Sequence, residues 1–498
     1  MKDYKCKASQ ICLVMILMIY PLIFSKTYSG ILEIKYISFT IIAVTMIYFY
    51  VMEKCVFGFY NSCAKAGLSI VDIAMLGFIG VMAVSTILSD YKIEAFTGSC
   101  SNNMGLLYYL ILVGVYFVVS RMFINKNIII AALSIGFAAT VIFAAIQFMG
   151  VDIFGLISSI NYDLSINYLS TLGNTNIYSS FLCLITPAFM AGAVLSDDFS
   201  KRALFYFMSF VGYIGLFTAN TDGGYAGFFT AFVLVLFISV NSKYRITRFL
   251  YLCFMYCLST VVFLVIHKAN YENARPLSAI TKFMVYGQFT KILIILFAIL
   301  ICLVVKMKSR IVTGYRIRKI IRIIIATFFC LLLVLAILAN VNKVFSLGFL
   351  DSYFKFTKDW GTGRGYVWNW CFTIFKDGNI IDKIFGFGPG TCGIKLLSAY
   401  GNEMRYSLGY YFTTAHNEFL EILLNTGFLG LISYVSIMLS TIIKNLKDKD
   451  YFHIIFTVGI ISYGVQSMFI VLQPVVVPLV FVFFGLANNN KMYDSKRL

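Results

Sequence analysis

Apolar residues in this chain neither alternate with polar ones nor keep to a single helical face. They come in runs of about 15 to 22 residues divided by short polar breaks, the length a helix needs to cross a bilayer. The runs predict spans at about 9–24, 36–52, 69–88, 105–123, 128–149, 177–195, 203–219, 225–240, 249–267, 291–306, 323–340, 427–443, 454–472 and 474–487. The expected fold is an all-α polytopic membrane protein with about 14 transmembrane helices and one large extracytoplasmic loop containing amphipathic helices. The last span is the weakest, because it is short and carries Pro474 and Pro478; as a re-entrant segment it would change the side of the tail alone. The first run follows a basic head, Lys2, Lys5 and Lys7, as in a signal peptide. No small-residue cleavage site follows, and the run reads as a retained helix.

One segment breaks the pattern. Residues 341–426 are too polar to sit in lipid, which divides the chain into 1–340 with spans one to eleven, the loop 341–426, and 427–498 with spans twelve to fourteen and a tail. All three tryptophans, Trp360, Trp368 and Trp370, fall in this loop, as does His416. Between 363 and 377, Arg364, Trp368, Cys371, Phe372 and Phe375 recur at i, i+4, i+7, i+8 and i+11, one stripe of a helix. That stripe lies either in the headgroup layer or on the rest of the loop. Gly386, Gly388 and Gly390 follow; they form a plain turn or a cradle whose N–H groups hold an anionic oxygen. His416 then opens a second amphipathic segment with Phe419, Leu420 and Leu423, capped by Thr413 or Thr414 and stopping at 425–427.

Composition agrees with a membrane protein: 60% apolar and 12% charged residues. The net charge of +18 suggests nucleic acid until the charges are located. They cluster in alternate breaks, most densely at Lys306, Lys308, Arg310, Arg316, Arg318, Lys319 and Arg322, whereas the stretch 150–176 has no basic residue. That bias marks orientation, not nucleic-acid binding. It predicts an integral plasma (inner) membrane protein with both termini cytoplasmic and the long loop outside. Ionisable groups in the spans are few: Asp72 stands near the start of the third, and Asp222 in the break before the eighth. An ion-coupled transporter would bury more, although a flippase or exporter of lipid-linked oligosaccharide stays open.

Of twelve cysteines, Cys100, Cys371 and Cys392 face outward. Cys371 with Cys392 is the candidate bridge, but no framework of paired spacings supports it. The outer loops offer no Asp-x-Asp pair and no zinc-ligand spacing, so neither metal nor cofactor is expected. Asp197–Asp198 and Asp448 with Asp450 fall on the cytoplasmic side.

A lone histidine on an apolar stripe is more often structural than catalytic. The company of His416 changes that weight: Arg364, Lys395 and Arg405 share its loop, and Arg275 follows His267 and Lys268 in the preceding outer break. Guanidinium groups bind phosphate oxygens in pairs and can neutralise a diphosphate leaving group. Lys395 reads as a headgroup contact.

The motifs Thr-Gly-Arg-Gly-Tyr-Val-Trp (362–368), Phe-Gly-Phe-Gly-Pro-Gly-Thr (385–391), Ala-His-Asn-Glu-Phe-Leu-Glu (415–421) and Gly-Phe-Leu-Gly-Leu (427–431) occur in that order. Together they resemble the C-terminal signature of the O-antigen ligase and O-antigen polymerase superfamily. Leu-Gly-Asn-Thr-Asn (172–176) resembles the family's Gly-Asn-Pro-Asn element, with Thr175 in place of proline. The resemblance covers roughly residues 70 to 440. It implies glycan transfer from a polyprenyl diphosphate-linked oligosaccharide to a hydroxyl on a glycan, lipid or protein acceptor. His416 matches the family's essential histidine, and Arg364 the arginine that contacts the diphosphate. The chain departs from the family at Thr221-Asp222-Gly223, where many members carry Ser-Arg-Gly.

The expected chemistry is a metal-independent, inverting transfer at the outer membrane surface. His416 draws off or orients the acceptor proton, while Arg364, with Arg275 or Arg405 and backbone N–H groups near Gly388, steadies the diphosphate. Asn417, beside the histidine, is a further substrate-binding candidate. Ligase, polymerase and protein glycosyltransferase stay open, and so does a peptidoglycan glycosyltransferase working through an acid of the outer loop.

Overall fold

The computed structural model describes residues 7–57, 67–99, 103–158, 160, 165–307, 315–341, 351–445, 450–471 and 473–494. Lys2, Lys5, Cys100, Lys308, Arg310, Asp448 and residues 342–350 of the long loop lie outside them. The helices are α1 Lys7–Met18, α2 Ile31–Phe57, α3 Ile70–Leu88, α4 Lys92–Thr97, α5 Leu106–Arg121, α6 Lys126–Phe148, α7 Thr175–Leu195, α8 Phe199–Ala219, α9 Asp222–Ser239 and α10 Lys243–Ala269. They continue with α11 Ala279–Tyr286, α12 Gln288–Lys306, α13 Tyr315–Val341, α14 Asp351–Phe354, α15 Trp360–Asp377, α16 Ile380–Phe385, α17 Cys392–Leu408, α18 Glu418–Asn445, α19 Tyr451–Gln466 and α20 Val477–Ala487.

Each expected span overlaps a helix, although some residues, 470, 471 and 474–476 among them, fall outside one. Among the described residues, 11 helices are long and apolar enough to cross a membrane, and Lys7–Leu22, Leu106–Arg121 and Val477–Ala487 are shorter apolar ones. α7 is the axis of the bundle, with its whole apolar window buried. It packs on α8 and α19, and the α19 contact needs Gly459, where a Cβ would stand 2.2 Å from the Leu184 carbonyl oxygen. The suspect last span is a short helix sealed inside the protein, with every residue from Val477 to Ala487 buried. The non-helical turn ahead of it is satisfied by tyrosines: Tyr20 donates to the Pro474 carbonyl and, at 3.1 Å, to that of Val475.

At the end of the bundle away from residues 351–426, Arg121 pairs with Asp72 at 3.1 Å and Lys126 with Asp450 at 2.6 Å. Asp72 also accepts from Ser69 N–H at 2.8 Å and Tyr116 O–H at 2.7 Å, so this carboxylate is fully partnered. It caps a helix; it is not a relay.

The long loop has a core of its own, in which Val367, Trp370, Cys371, Cys392, Leu396, Met404, Phe412, Ala415, Leu420 and Leu424 are buried together. α15 therefore packs on the rest of the loop. Its buried face is Gly363, Val367, Trp370 and Cys371, one position off the stripe read from the sequence, and Phe372 is 55% exposed. The Trp370 ring, stacked on Tyr400 at 5.5 Å, sets that rotation. Cys371 and Cys392 are free, buried thiols in hydrogen-bonding contact with each other.

Candidate functional site

The site is built where the loop meets the bundle. α15 begins with a turn in which Gly361, Thr362 and Gly363 have φ of 61°, 63° and 86°. Three left-handed residues in a row reverse the chain, so that the Gly361 carbonyl accepts from Arg364 Nη1 at 3.1 Å. The Arg364 Nε–H is buried with no partner, although the guanidinium lines a large cavity. Burial lowers the Arg364 pKa, and the Asp222 carboxylate opposes that shift.

The cavity holds about 1350 Å³. Its walls come from the ends of several membrane helices: Phe148 of α6, Thr175 and Asn176 of α7, Thr218 and Ala219 of α8, and Asp222, Gly223, Tyr225 and Ala226 of α9. The segment from Arg275 to Ser278, and Tyr353 to Arg364 of the loop, close it. Leu332 of α13 also lines it, nine residues before that helix ends and so about 14 Å from its end along an apolar helix. Among the described residues of the apolar window of α13, none is buried. The cavity thus joins a polar mouth to a flank a lipid chain can occupy.

Arg275 forms a second wall. Its backbone N–H donates to the Phe148 carbonyl at 3.0 Å, and its carbonyl meets His267 Nε2 at 3.3 Å, while His267 Nδ1 bonds to the Tyr286 hydroxyl at 2.9 Å. Arg275 Nη2 is buried and unpartnered. Burial lowers this arginine's pKa too. The Leu-Gly-Asn-Thr-Asn element pairs Tyr168–Leu169 with Gly173–Asn174 as a two-residue ladder, and Asn174 caps α7 by accepting from Asn176 N–H at 2.8 Å. That turn sets Thr175 and Asn176 on the cavity wall.

His416 is placed beside Arg364 rather than on the helix that follows. The cap of α18 is Asn417, not a threonine: its Oδ1 accepts from Leu420 N–H at 3.1 Å, which leaves His416 just outside with φ of 48°. Of the five described non-glycine residues with positive φ, Asn220 and Thr362 line the cavity and His416 adjoins it, so strain gathers at the site. The imidazole meets the edge of Phe412 at 5.0 Å, and the preceding Ala415 carbonyl accepts from Trp368 Nε1 at 3.1 Å. Burial, then the Arg364 charge, push its pKa down to about 4. His416 is therefore neutral across physiological pH. With three histidines in the chain, histidine-labelled protein is expected to show one ring titrating near pH 4; a His416 midpoint between 6 and 7 would contradict this packing.

Two candidates fall outside this arrangement. Arg405 is exposed on α17 and is not among the cavity's lining residues. Gly388 offers no free N–H, since its amide donates to the Asn425 carbonyl at 2.9 Å. Its glycine is needed for space: a Cβ would lie 2.6 Å from Ser89 Oγ. Asn417 serves the helix cap. Lys395, read as a headgroup contact, reaches Asp90 at 3.3 Å. Sequence reasoning missed Tyr353, Trp360 and Asp222 as cavity residues, although Asp222 stood out as one of the few ionisable groups near the spans and at a departure from the family's pattern. Among the described residues no group of three or more His, Cys, Asp or Glu side chains is placed to hold a metal ion.

No match was found among the curated proteins. A family model does match, over residues 276–435, a stretch that includes Arg364 and His416 but stops short of Asp222 and Arg275. That family is described as O-antigen ligase, and the matched stretch, about a third of this multi-helix chain, is similar to it and contains the loop motifs that carried the resemblance.

Proposed function

We propose that the chain is a glycosyltransferase of the plasma membrane that moves a glycan from a polyprenyl diphosphate carrier to an acceptor hydroxyl on the outer face. The observation that carries this reading is the cavity itself. It is lined by two arginines, each with a buried N–H group that has no partner, and it reaches Leu332 on an apolar helix with an exposed flank. A diphosphate on a long apolar tail has that shape and that charge. Guanidinium groups preorganised around the diphosphate bind it more tightly as its charge grows in the transition state, which accelerates departure. Attack from the opposite side of the sugar ring inverts the anomeric centre. His416, held neutral beside Arg364 and packed on Phe412, acts in this arrangement as an uncharged group.

Purified protein in lipid nanodiscs, given a polyprenyl diphosphate oligosaccharide and an acceptor, tests the reading. A ladder of products identifies a polymerase and a single conjugate a ligase. Donor that crosses a vesicle membrane unchanged identifies a flippase and removes the reading. His416→Ala is expected to lower product by about a hundredfold or more while the protein stays folded. Unchanged product from that variant would take the histidine out of the mechanism.

A further inference from the structure

The cavity contains a base that the reading above leaves unused. Asp222, the first residue of α9, lines the cavity and is exposed to it. Among the described residues its carboxylate has no hydrogen bond and no ion pair, though the charge of Arg364 reaches it and its own charge reaches Tyr353. The neighbouring acid Asp351 is committed to Lys355 at 2.8 Å. Asp222 is also held in register with Arg275: Asn220, in the left-handed conformation, accepts from Ser278 N–H at 2.8 Å and donates to the Pro276 carbonyl at 3.1 Å. His416, by contrast, is not among the residues that line the cavity and sits against the Phe412 edge.

We infer that Asp222 is the base for the acceptor hydroxyl, a role that rests on the transfer reading and divides its labour. Arg364 and Arg275 hold the leaving group, Asp222 serves the attacking oxygen, and His416 acts on position and charge around Arg364. The acceptor oxygen forms a bond to the anomeric carbon as that carbon's bond to the diphosphate oxygen breaks. The electron pair of that bond leaves with the polyprenyl diphosphate, and the hydroxyl proton passes to the Asp222 carboxylate. A hydroxyl becomes acidic only late in such an attack, so a carboxylate of ordinary basicity suffices, as it does for the water activated in inverting glycoside hydrolysis. A carboxylate there also offsets the positive charge that grows on the sugar ring. Free of other partners, Asp222 has its lone pairs available for this.

A role in balancing the dipole at the start of α9 would predict no change in turnover on substitution. The test uses full-length protein in nanodiscs with two readouts: polyprenyl diphosphate binding, followed through the fluorescence of Trp360 and its neighbours, and consumption of lipid-linked oligosaccharide extracted from the cells that make the protein. Asp222→Asn is expected to bind the diphosphate within about threefold of the native protein and to lose about a hundredfold or more in turnover. Asp222→Glu, which keeps a carboxylate one methylene further out, is expected to recover part of that loss. Turnover of Asp222→Asn within about threefold of native overturns the inference, as does loss of diphosphate binding in step with turnover. If Asp222→Asn fails to fold, a folded Asp222→Ser takes its place under the same two criteria, native-like diphosphate binding with turnover lost supporting the inference and turnover within about threefold of native overturning it. A native protein that neither binds nor consumes donor would instead sink the transfer reading.

Discussion

Arg364→Ala is expected to lower glycan transfer by about a hundredfold to a thousandfold, the scale on which a preorganised donor to a developing anion contributes, about 2.7–4 kcal/mol. The geometry supports an effect of that size. The guanidinium lines the cavity and is fixed from one side by the Gly361 carbonyl at 3.1 Å, so it meets an anion there at little further entropic cost. Arg364→Lys keeps the charge but loses the planar fork, and most of the loss should persist. Arg275→Ala should weaken donor binding as well, because its Nη2 is buried without a partner. Arg405→Ala is the control: exposed and outside the cavity lining, it should change turnover by less than about twofold. Initial rates at saturating and at limiting donor separate these cases. Equal losses for Arg364 and Arg405 would show that total positive charge matters and the cavity does not.

The helices were legible because a bilayer allows little else: a run of about 20 apolar residues must satisfy its backbone internally. The motifs of the loop were legible for the same kind of reason, since each glycine answers a local demand. What the demand served was less visible. Gly388 has a φ of 115° both on the anion-cradle reading and in the packing actually found, and only the partner of its amide, the Asn425 carbonyl, tells them apart. Arg275 and Arg405 looked equivalent as basic residues of polar segments, yet one belongs to the cavity wall and the other to an exposed helix face. Asp222 was hardest to read. It stands far from Arg364 in the chain and shares a cavity with it because α9 begins at the wall that the turn at Gly361 to Gly363 also lines. The α15 stripe slipped by one position because aromatic residues occupy more than one face, and the stacking of Trp370 on Tyr400 chose among them.

The same loop geometry makes Gly427→Ala the most damaging small substitution expected outside the cavity. Gly427 divides α18 with φ of 66° and ψ of −169°, a region glycine alone occupies without strain. A Cβ there would stand 2.3 Å from both the carbon and the oxygen of the Ile384 carbonyl, and one on Gly386 would stand 2.4 Å from Asn425 C and Thr426 N. The two strands of chain therefore cross with nothing between them. Around the crossing, Phe387 N–H donates to Leu424 at 2.9 Å, Cys392 N–H to Asn425 Oδ1 at 3.0 Å, and Ser85 Oγ of α3 to the Asn425 carbonyl at 2.8 Å. Backbone atoms cannot swing aside as a side chain does, so the alanine must separate the crossing and break several of these bonds together. A loss of about 3 kcal/mol or more follows from the strain and the clash combined. Gly401→Ala, in the middle of α17 with nothing within 4 Å of the new methyl, should if anything stabilise slightly. Thermal unfolding of the two variants in detergent measures the contrast. Because the crossing holds the segment that His416 opens onto α3, Gly427→Ala should also lose transfer, whereas a variant that kept both stability and activity would show that the loop is held to the bundle by something other than this close approach of backbones.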